Sequence, residues 1–289
     1  MASIHSPFRY AGGKYYARDL ILEHIPEHKD YIEPFAGGAS IFFSKELAPG
    51  LNWLNDIDDD LINTMVIIRD EPNELINVLR RRRNDRLPIE LVRAVKIGEP
   101  IPALKELHHF FKYEYHPQND LERAFRWFYL NRTSYSGIMN FQNMYWGYGD
   151  KHSMTPKNWP RNILTTSEKL QGVKLTSMDF ELVVEQAPDN SLLYLDPPYY
   201  NADQDKFYEH FFSHEDHLRL ERCLREHHER LKLFISYDNV EDVKNLYHWA
   251  QEMHEKEWNY CIQRTDDQKN KTDAKGQRYK GKELFILDY

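Results

Sequence analysis

The 289-residue chain has only two cysteines and no apolar run long enough to cross a membrane. Cys223 and Cys261 lack CxxC spacing, and residues 1–7 contain no apolar signal segment, so we expect reduced thiols in a cytoplasmic protein. Metal-ligand spacing is also missing, because the histidine pairs are adjacent residues, whose side chains point in different directions on a helix. We therefore expect no metal site and no membrane partner.

The chain also has fewer basic than acidic residues. Its formal net charge of −8 counts against indiscriminate binding to nucleic acid. Basic residues are nevertheless clustered. The arginines at 80–83 form one cluster, which a solvated helix face explains almost as well as a phosphate contact. Residues 269–282 contain a single acid and predict an exposed loop facing DNA phosphates, with Lys275, Arg278 and Lys280 as candidate contacts.

The most informative motif is Asp196-Pro197-Pro198-Tyr199, which follows the apolar run 191–195, a predicted buried strand. An exocyclic amino group of a base is a poor nucleophile, because its lone pair is delocalised into the ring. Asp196 can accept one N–H, and a carbonyl fixed by the two prolines can accept the other as charge develops. Tyr199 offers a flat face for an extruded base. The motif favours methyl transfer to such an amine, although alone it fits an ordinary turn equally well.

A second motif, residues 30–43, has the form of strand, glycine turn and helix, as in the first βα unit of a doubly wound sheet. Adjacent glycines let a ligand approach the backbone closely. The segment is neither GxGxxG nor GxxxxGK[ST], which disfavours a dinucleotide and excludes a P-loop here. A ligand with adenosine but no pyrophosphate fits better, which indicates S-adenosylmethionine. The predicted contacts in this segment are Glu33, Phe35, Ala36 and Gly37.

Further candidates for cofactor binding lie at other predicted strand ends. Asp56, after the second strand and roughly 20 residues past the glycine turn, can accept both ribose hydroxyls. The acids at 58–60 are expected to open the next helix. Asp179 is a candidate for the adenine amino group or for a helix cap. In the segment 10–14, Lys14 can pair with the cofactor's carboxylate and Tyr10 can pack beside it.

Together these pieces resemble the Dam-type DNA adenine-N6 methyltransferases. The matching segments in chain order are 10–14, 33–38, 55–62, 196–199, 233–238 and 281–289. Their order, with an insertion between the cofactor loop and the catalytic motif, is similar to the family's alpha arrangement. The resemblance implies that Tyr10, Lys14, Asp56 and Asp196 contact S-adenosylmethionine, and that the substrate is adenine N6 in double-stranded DNA.

The resemblance also implies an α/β fold, a Rossmann-like, mostly parallel seven-stranded sheet of a class I S-adenosylmethionine-dependent methyltransferase. Residues 1–60 and 163–289 are expected to form the catalytic domain. Residues 61–162 have helical spacing of apolar residues and little strand character, and we expect them to form a helical target-recognition domain.

Residues 131–140 are expected to form a polar loop presented to DNA, with Arg132 as one contact. The resemblance implies that Tyr135 fills the space left by a flipped base. Members that read GATC carry Asn and Arg where this chain has Ser136 and Asn140, so GATC is only one candidate sequence. Ser136 and Asn140 are the predicted base-reading residues.

Several alternatives stay open. N4 of cytosine has similar amine chemistry, although a serine more often replaces Asp196 in that group. RNA adenine is another possible substrate. A DNA-binding module without activity is expected to have a broken catalytic motif, which is intact here. A nicotinamide dehydrogenase explains the glycine turn and Asp56, but not the Pro-Pro-Tyr motif. A cognate restriction endonuclease, a phage role and a solitary role are all compatible with the sequence.

Overall fold

The computed structural model describes residues 4–10, 12–81, 86–149, 153–201, 211–259 and 280–289. Its centre is a seven-stranded sheet in the order β3-β2-β1-β4-β5-β7-β6. β7 is antiparallel to both of its neighbours, and the other adjacent pairs are parallel. The predicted mostly parallel α/β sheet is therefore confirmed. The strands are β1 (Tyr31–Glu33), β2 (Asn52–Asn55), β3 (Lys174–Thr176), β4 (Leu192–Leu195), β5 (Lys232–Asp238), β6 (Glu252–Asn259) and β7 (Lys280–Asp288).

The α-helices of the described residues pack on the two faces of this sheet or belong to the segment between β2 and β3. None of them is long and apolar enough to span a bilayer. In chain order they are α1 (Arg18–Glu23), α2 (Ser40–Ser44), α3 (Asp59–Asp70), α4 (Pro72–Val78), α5 (Ile89–Val92), α6 (Lys105–Tyr113), α7 (Asp120–Thr133), α8 (Trp159–Leu170), α9 (Phe180–Gln186), α10 (His214–His227) and α11 (Glu241–Leu246).

The central strands are buried on both faces, as expected of parallel strands that helices cover on both sides. Every residue of β1, β2 and β4 is buried. On one face of the sheet, the core includes α1, α2, α3 and the helices between β2 and β3. On the other face, α9, α10 and α11 form a second core. The sheet is therefore doubly wound.

The chain between β2 and β3 carries helices α3 to α8, in agreement with the helical spacing of the sequence. Asp58 caps α3 by accepting a hydrogen bond from the Leu61 amide at 3.1 Å, so the predicted helix start is confirmed. Arg123 of α7 donates to Asp59 and Asp60 at 2.6 Å each. These ion pairs tie α7 to the first turn of α3.

The carboxyl ends of β1 to β4 meet at one edge of the sheet. β1 lies between β2 and β4, and Ile32 pairs with Trp53 on one side and Leu193 on the other. The helix after β1, α2, lies on one face of the sheet, and the helix after β4, α10, lies on the other. The neighbouring ends of β1 and β4 therefore form a topological switch point, where ligands of open α/β sheets bind. The loops after Glu33, Asn55 and Leu195 consequently emerge side by side.

Candidate active site

A cavity of about 600 Å³ opens at this edge of the sheet. Its walls include the loops that follow β1 to β4 and the N-terminal segment. The cavity brings together every residue that the sequence predicted for catalysis or cofactor binding: Tyr10, Lys14, Glu33, Phe35, Ala36, Gly37, Asp56, Asp179, Asp196, Pro197, Pro198 and Tyr199.

Lys14 and Asp196 form an ion pair inside the cavity. The buried Lys14 Nζ donates to Asp196 Oδ1 at 2.5 Å and to the Gly12 carbonyl at 3.4 Å. The same ammonium lies 4.9 Å from the centre of the Tyr199 ring. Burial raises the pKa of Asp196, and the Lys14 charge opposes this rise. The pair holds the carboxylate at the end of β4, with 21% of its side chain still exposed.

The glycine turn after β1 is held by Asp56. Gly37 has a φ of +47°, and its amide donates to Asp56 Oδ2 at 2.8 Å. A Cβ at Gly37 would come within 2.9 Å of the Tyr10 ring, so glycine allows this ring to close over the turn. Asp56 Oδ1 accepts the Asp58 amide at 3.0 Å. The acid predicted for the ribose therefore also organises the turn.

Aromatic rings form the wall next to this turn. The Phe35 ring centre lies 5.5 Å from that of Phe180 and 5.6 Å from that of Phe212. Asp179 caps α9 by accepting the amide two residues further on, at 2.9 Å, and pairs with Arg219 at 3.2 Å. Asp179 thus serves as a helix cap and also lines the cavity.

Glu33 lies at the base of the cavity and is almost completely buried. Its Oε1 accepts hydrogen bonds from the Tyr31 hydroxyl at 2.7 Å and from the Phe42 amide at 2.9 Å. Burial raises the pKa of Glu33 to about 8. Glu33 is therefore mainly protonated at neutral pH. Its hydrogen bond from the Phe42 amide joins α2 to β1.

Sequence reasoning missed a carboxyl group beneath Tyr199. Glu283 of β7 is fully buried, its Oε2 accepts from Ser236 Oγ at 2.9 Å, and Tyr199 hydrogen-bonds to the same side chain. Burial raises the pKa of Glu283 to about 7. The available signal was an acid directly before the apolar run 284–287. Since burying a carboxyl group is costly without partners, an acid in a buried strand points to an internal polar contact.

The predicted DNA-reading loop packs against the N-terminal segment. Arg9 Nη1 donates to the Ser134 carbonyl at 2.9 Å. Gly137 has a φ of +72°, and a Cβ there would lie 2.1 Å from the Arg9 carbonyl oxygen. Gly137 and Met139 line the cavity, while Tyr135 is 47% exposed. The loop is therefore a wall of the cavity as well as a surface.

The two predicted base-reading residues shape this loop. Ser136 adopts a left-handed φ of +52°. Asn140 Oδ1 accepts hydrogen bonds from the amides of Gln142 and Asn143 at 3.1 and 3.2 Å. The side-chain oxygen of Asn140 consequently supports a local turn.

Arg132 does not reach the surface of the loop. It is 6% exposed, its Nη1 donates to the Pro7 carbonyl at 3.2 Å, and burial lowers its pKa to about 10. The C-terminal part of α7 is buried on all sides, which leaves Arg132 no surface for a DNA phosphate. Lys275 and Arg278 lie outside the described residues, and Lys280 begins β7.

Comparison with known proteins identifies the family. Residues 10–262 match the family described as D12 class N6 adenine-specific DNA methyltransferase. The chain is 29% identical to a DNA N-6-adenine-methyltransferase of Escherichia phage P1, over 84% of this chain and 31% of that protein. It is 30% identical to the type II methyltransferase M1.LlaDCHI of Lactococcus lactis subsp. cremoris, over 76% of each chain. It is 26% identical to the DNA adenine methylase of Escherichia coli strain K12, over 66% of this chain and 63% of that protein.

The chain spans less than a third of the phage relative's length, so that protein's remaining part has no counterpart in the match. The family match itself covers the N-terminal segment, the glycine turn, the insertion and the Asp196 motif. The chain belongs to the family of D12 class N6 adenine-specific DNA methyltransferases.

Proposed function

We propose that the chain transfers the methyl group of S-adenosylmethionine to N6 of an adenine turned out of double-stranded DNA. One observation carries the proposal. The Asp196 motif and the glycine turn line one cavity, although the whole insertion separates them in sequence. A flipped base and a nucleoside-like cofactor can therefore meet in the same space.

The chemistry of the cavity fits S-adenosylmethionine. Asp56 suits ribose hydroxyls, and the Phe35 and Phe180 rings offer an apolar slot for adenine. Lys14 suits a carboxylate, and since an ammonium has three donors it can hold Asp196 at the same time. We infer that the cofactor-binding set comprises Tyr10, Lys14, Glu33, Phe35, Ala36, Gly37, Asp56, Asp179 and Asp196.

When bound, S-adenosylmethionine supplies a methyl group on a positively charged sulfur. Asp196 accepts one N–H of the adenine amine, and a carbonyl of Pro197 or Pro198 accepts the other, which draws the nitrogen toward tetrahedral geometry. Tyr199 supports the base by stacking. Formation of the N–C bond is accompanied by cleavage of the S–C bond, which leaves a neutral thioether, and the nitrogen keeps one excess proton. The Asp196 carboxylate can take this proton and, because part of the side chain is exposed, release it to water.

We propose that the DNA lies against the loop around Tyr135. An exposed ring beside the cavity can occupy the gap that the extruded adenine leaves in the duplex. Ser136 and Asn140 are the proposed base-reading residues, and residues 61–162 the proposed target-recognition domain. Lys275, Arg278 and Lys280 are proposed phosphate contacts. Arg132 is left out because it is buried.

The family match favours adenine over cytosine as the base. GATC is one candidate recognition sequence, and a cognate restriction endonuclease one candidate biological partner, as for a type II enzyme such as the Lactococcus relative. We propose action in the cytoplasm, where bacterial and phage DNA is found.

The proposal is tested by incubating purified protein with S-adenosylmethionine and unmethylated genomic DNA, followed by single-molecule sequencing for modified bases. N6-methyladenine within one short motif supports the enzyme and identifies the sequence it reads. Methyladenine without sequence context contradicts the base-reading role of Ser136 and Asn140. An absence of modification by protein that still binds S-adenosylmethionine contradicts the proposed function.

A further inference from the structure

Tyr199, the proposed platform for the target base, is held from two sides. The Lys14 ammonium lies beside its ring, 4.9 Å from the ring centre. Its hydroxyl group hydrogen-bonds to Glu283, which belongs to the antiparallel strand β7 on the other side of β5. Ser236 of β5 donates to Glu283 Oε2 at 2.9 Å and so fixes that carboxyl group in turn. The platform is thus connected to a buried acid outside the catalytic motif.

We propose that Glu283 is a positioning residue for methyl transfer, which holds the Tyr199 ring in place for the flipped base and shares the Lys14 charge with Asp196. The inference deepens the proposed function and rests on it. Glu283 is not among the described residues that line the cavity. It therefore acts through Tyr199 and Lys14 and not by direct contact with the substrate. Both hydroxyl donors favour its ionised form, and a charged acceptor makes the stronger hydrogen bonds, so the ionised form holds the platform more firmly.

Two carboxyl groups, the partly exposed Asp196 and the buried Glu283, share one ammonium. Lys14 touches Asp196 directly, and its charge also favours ionised Glu283. The Asp196 charge acts in the opposite direction and raises the pKa of Glu283, which burial brings to about 7. The two acids therefore titrate as a coupled pair. The other titratable or hydroxyl groups around Glu283, or at its paired strand positions, are Tyr194, Tyr199, Ser236, Asp238 and Lys256.

The first test is Glu283→Gln, which keeps the shape of the side chain but cannot ionise. We expect kcat to fall about tenfold while KM for S-adenosylmethionine is unchanged, because the cofactor contacts remain. The step of the kcat profile near pH 7, where Glu283 ionises, should disappear from the acidic limb, because Gln cannot ionise. The control is Glu255→Gln on β6, an exposed acid, which should match wild type. An unchanged kcat and an unchanged limb would overturn the proposal.

The second test asks whether Glu283 acts through Tyr199. Tyr199→Phe keeps the ring and removes the hydroxyl group. If Glu283 acts through its hydrogen bond with Tyr199, the double variant Glu283→Gln/Tyr199→Phe should lose no more activity than the worse of the two single variants. Losses that add fully would overturn the proposal. Should Glu283→Gln fail to fold, as judged by thermal melting, Ser236→Ala takes its place, because it removes the other hydroxyl donor to the same carboxylate.

A readout independent of turnover separates this inference from the proposed function. DNA with 2-aminopurine at the target position reports stacking of the flipped base by its fluorescence. We expect brighter emission with Glu283→Gln than with wild type. A Tyr199 ring that is held less firmly stacks less well on the flipped base and therefore quenches its fluorescence less. Equal emission overturns the inference, even when wild-type protein methylates adenine. Wild-type protein that produces no N6-methyladenine instead contradicts the proposed function, whatever the fluorescence.

Discussion

The Lys14 ammonium lies 2.5 Å from the Asp196 carboxylate, although 182 positions separate the two residues in sequence. The contact joins the N-terminal segment to the loop after β4, and thereby closes one side of the cavity. Lys14 also lowers the pKa of Asp196, which desolvation raises, and so favours its ionised form. The proposed reaction needs Asp196 as a carboxylate, and Lys14 favours that form.

Lys14→Met should move the acidic limb of kcat/KM to higher pH. Burial raises the pKa of Asp196 and the lysine lowers it, so removal of the lysine leaves only the raising effect. We expect a loss of about tenfold or more at neutral pH. Lys244→Met is the control, because that lysine pairs with Glu255 at the surface. A limb that stays at its wild-type pH contradicts the assignment of Asp196 as the titrating group.

Glu33→Gln should flatten the dependence of stability on pH. The pKa of Glu33 is about 8 in the folded protein, against 4.5 ordinarily. Because the unfolded chain loses this proton at lower pH than the folded protein, the wild-type free energy of unfolding falls as pH rises between these two values. Urea unfolding at several pH values across this interval measures the effect, with the exposed Glu46→Gln as control. Parallel curves for Glu33→Gln and wild type would show that Glu33 is ionised in the fold.

Asp56→Ala should weaken binding of S-adenosylmethionine more than binding of DNA. The side chain is proposed to bind the ribose, and it also accepts the Gly37 and Asp58 amides that shape the turn. Loss of these hydrogen bonds is expected to lower cofactor affinity about tenfold to a hundredfold. Calorimetric titration with the cofactor and anisotropy of labelled DNA measure the two affinities, with exposed Asp19→Ala as control. Equal losses for both ligands contradict the ribose role.

Tyr135→Ala should impair methylation of an intact duplex more than methylation of a duplex whose target adenine is mismatched. A mismatch removes part of the cost of flipping, so less depends on the ring that fills the gap. Tyr135→Phe keeps the ring and should retain most of the activity on both substrates. Comparison of kcat/KM on matched and mismatched oligonucleotides provides the measurement. Identical losses on the two substrates assign Tyr135 a structural role only.

Local signals predicted the parts of the site that depend on neighbouring residues. The apolar run before Asp196 forms β4, the segment around Gly37 forms a turn after β1, and Asp58 caps α3. Each of these features follows from residues within a few positions of one another: burial of an apolar strand, positive φ at glycine, and a carboxylate at a helix start.

Contacts between distant segments could not be predicted in this way. Neither the Lys14–Asp196 pair nor the contact between Tyr199 and Glu283 leaves a periodic pattern in the sequence. The first depends on how the N-terminal segment packs against the loop after β4, and the second on how β7 packs beside β5. Arg132 was expected at a DNA surface because it follows an apolar helix. It is buried instead, because α7 has neighbours on all sides near its C-terminus.

The central claim is that Asp196 accepts the amine of an adenine for methyl transfer, and one comparison tests it most directly. Wild type and Asp196→Asn are each incubated with unmethylated duplex DNA and S-adenosylmethionine, and the digested nucleosides are identified by mass spectrometry. We predict N6-methyldeoxyadenosine with wild type, and a rate about a hundredfold to a thousandfold lower with the variant, which should still bind the cofactor. Methylated cytosine, or undiminished activity of Asp196→Asn, would contradict the claim.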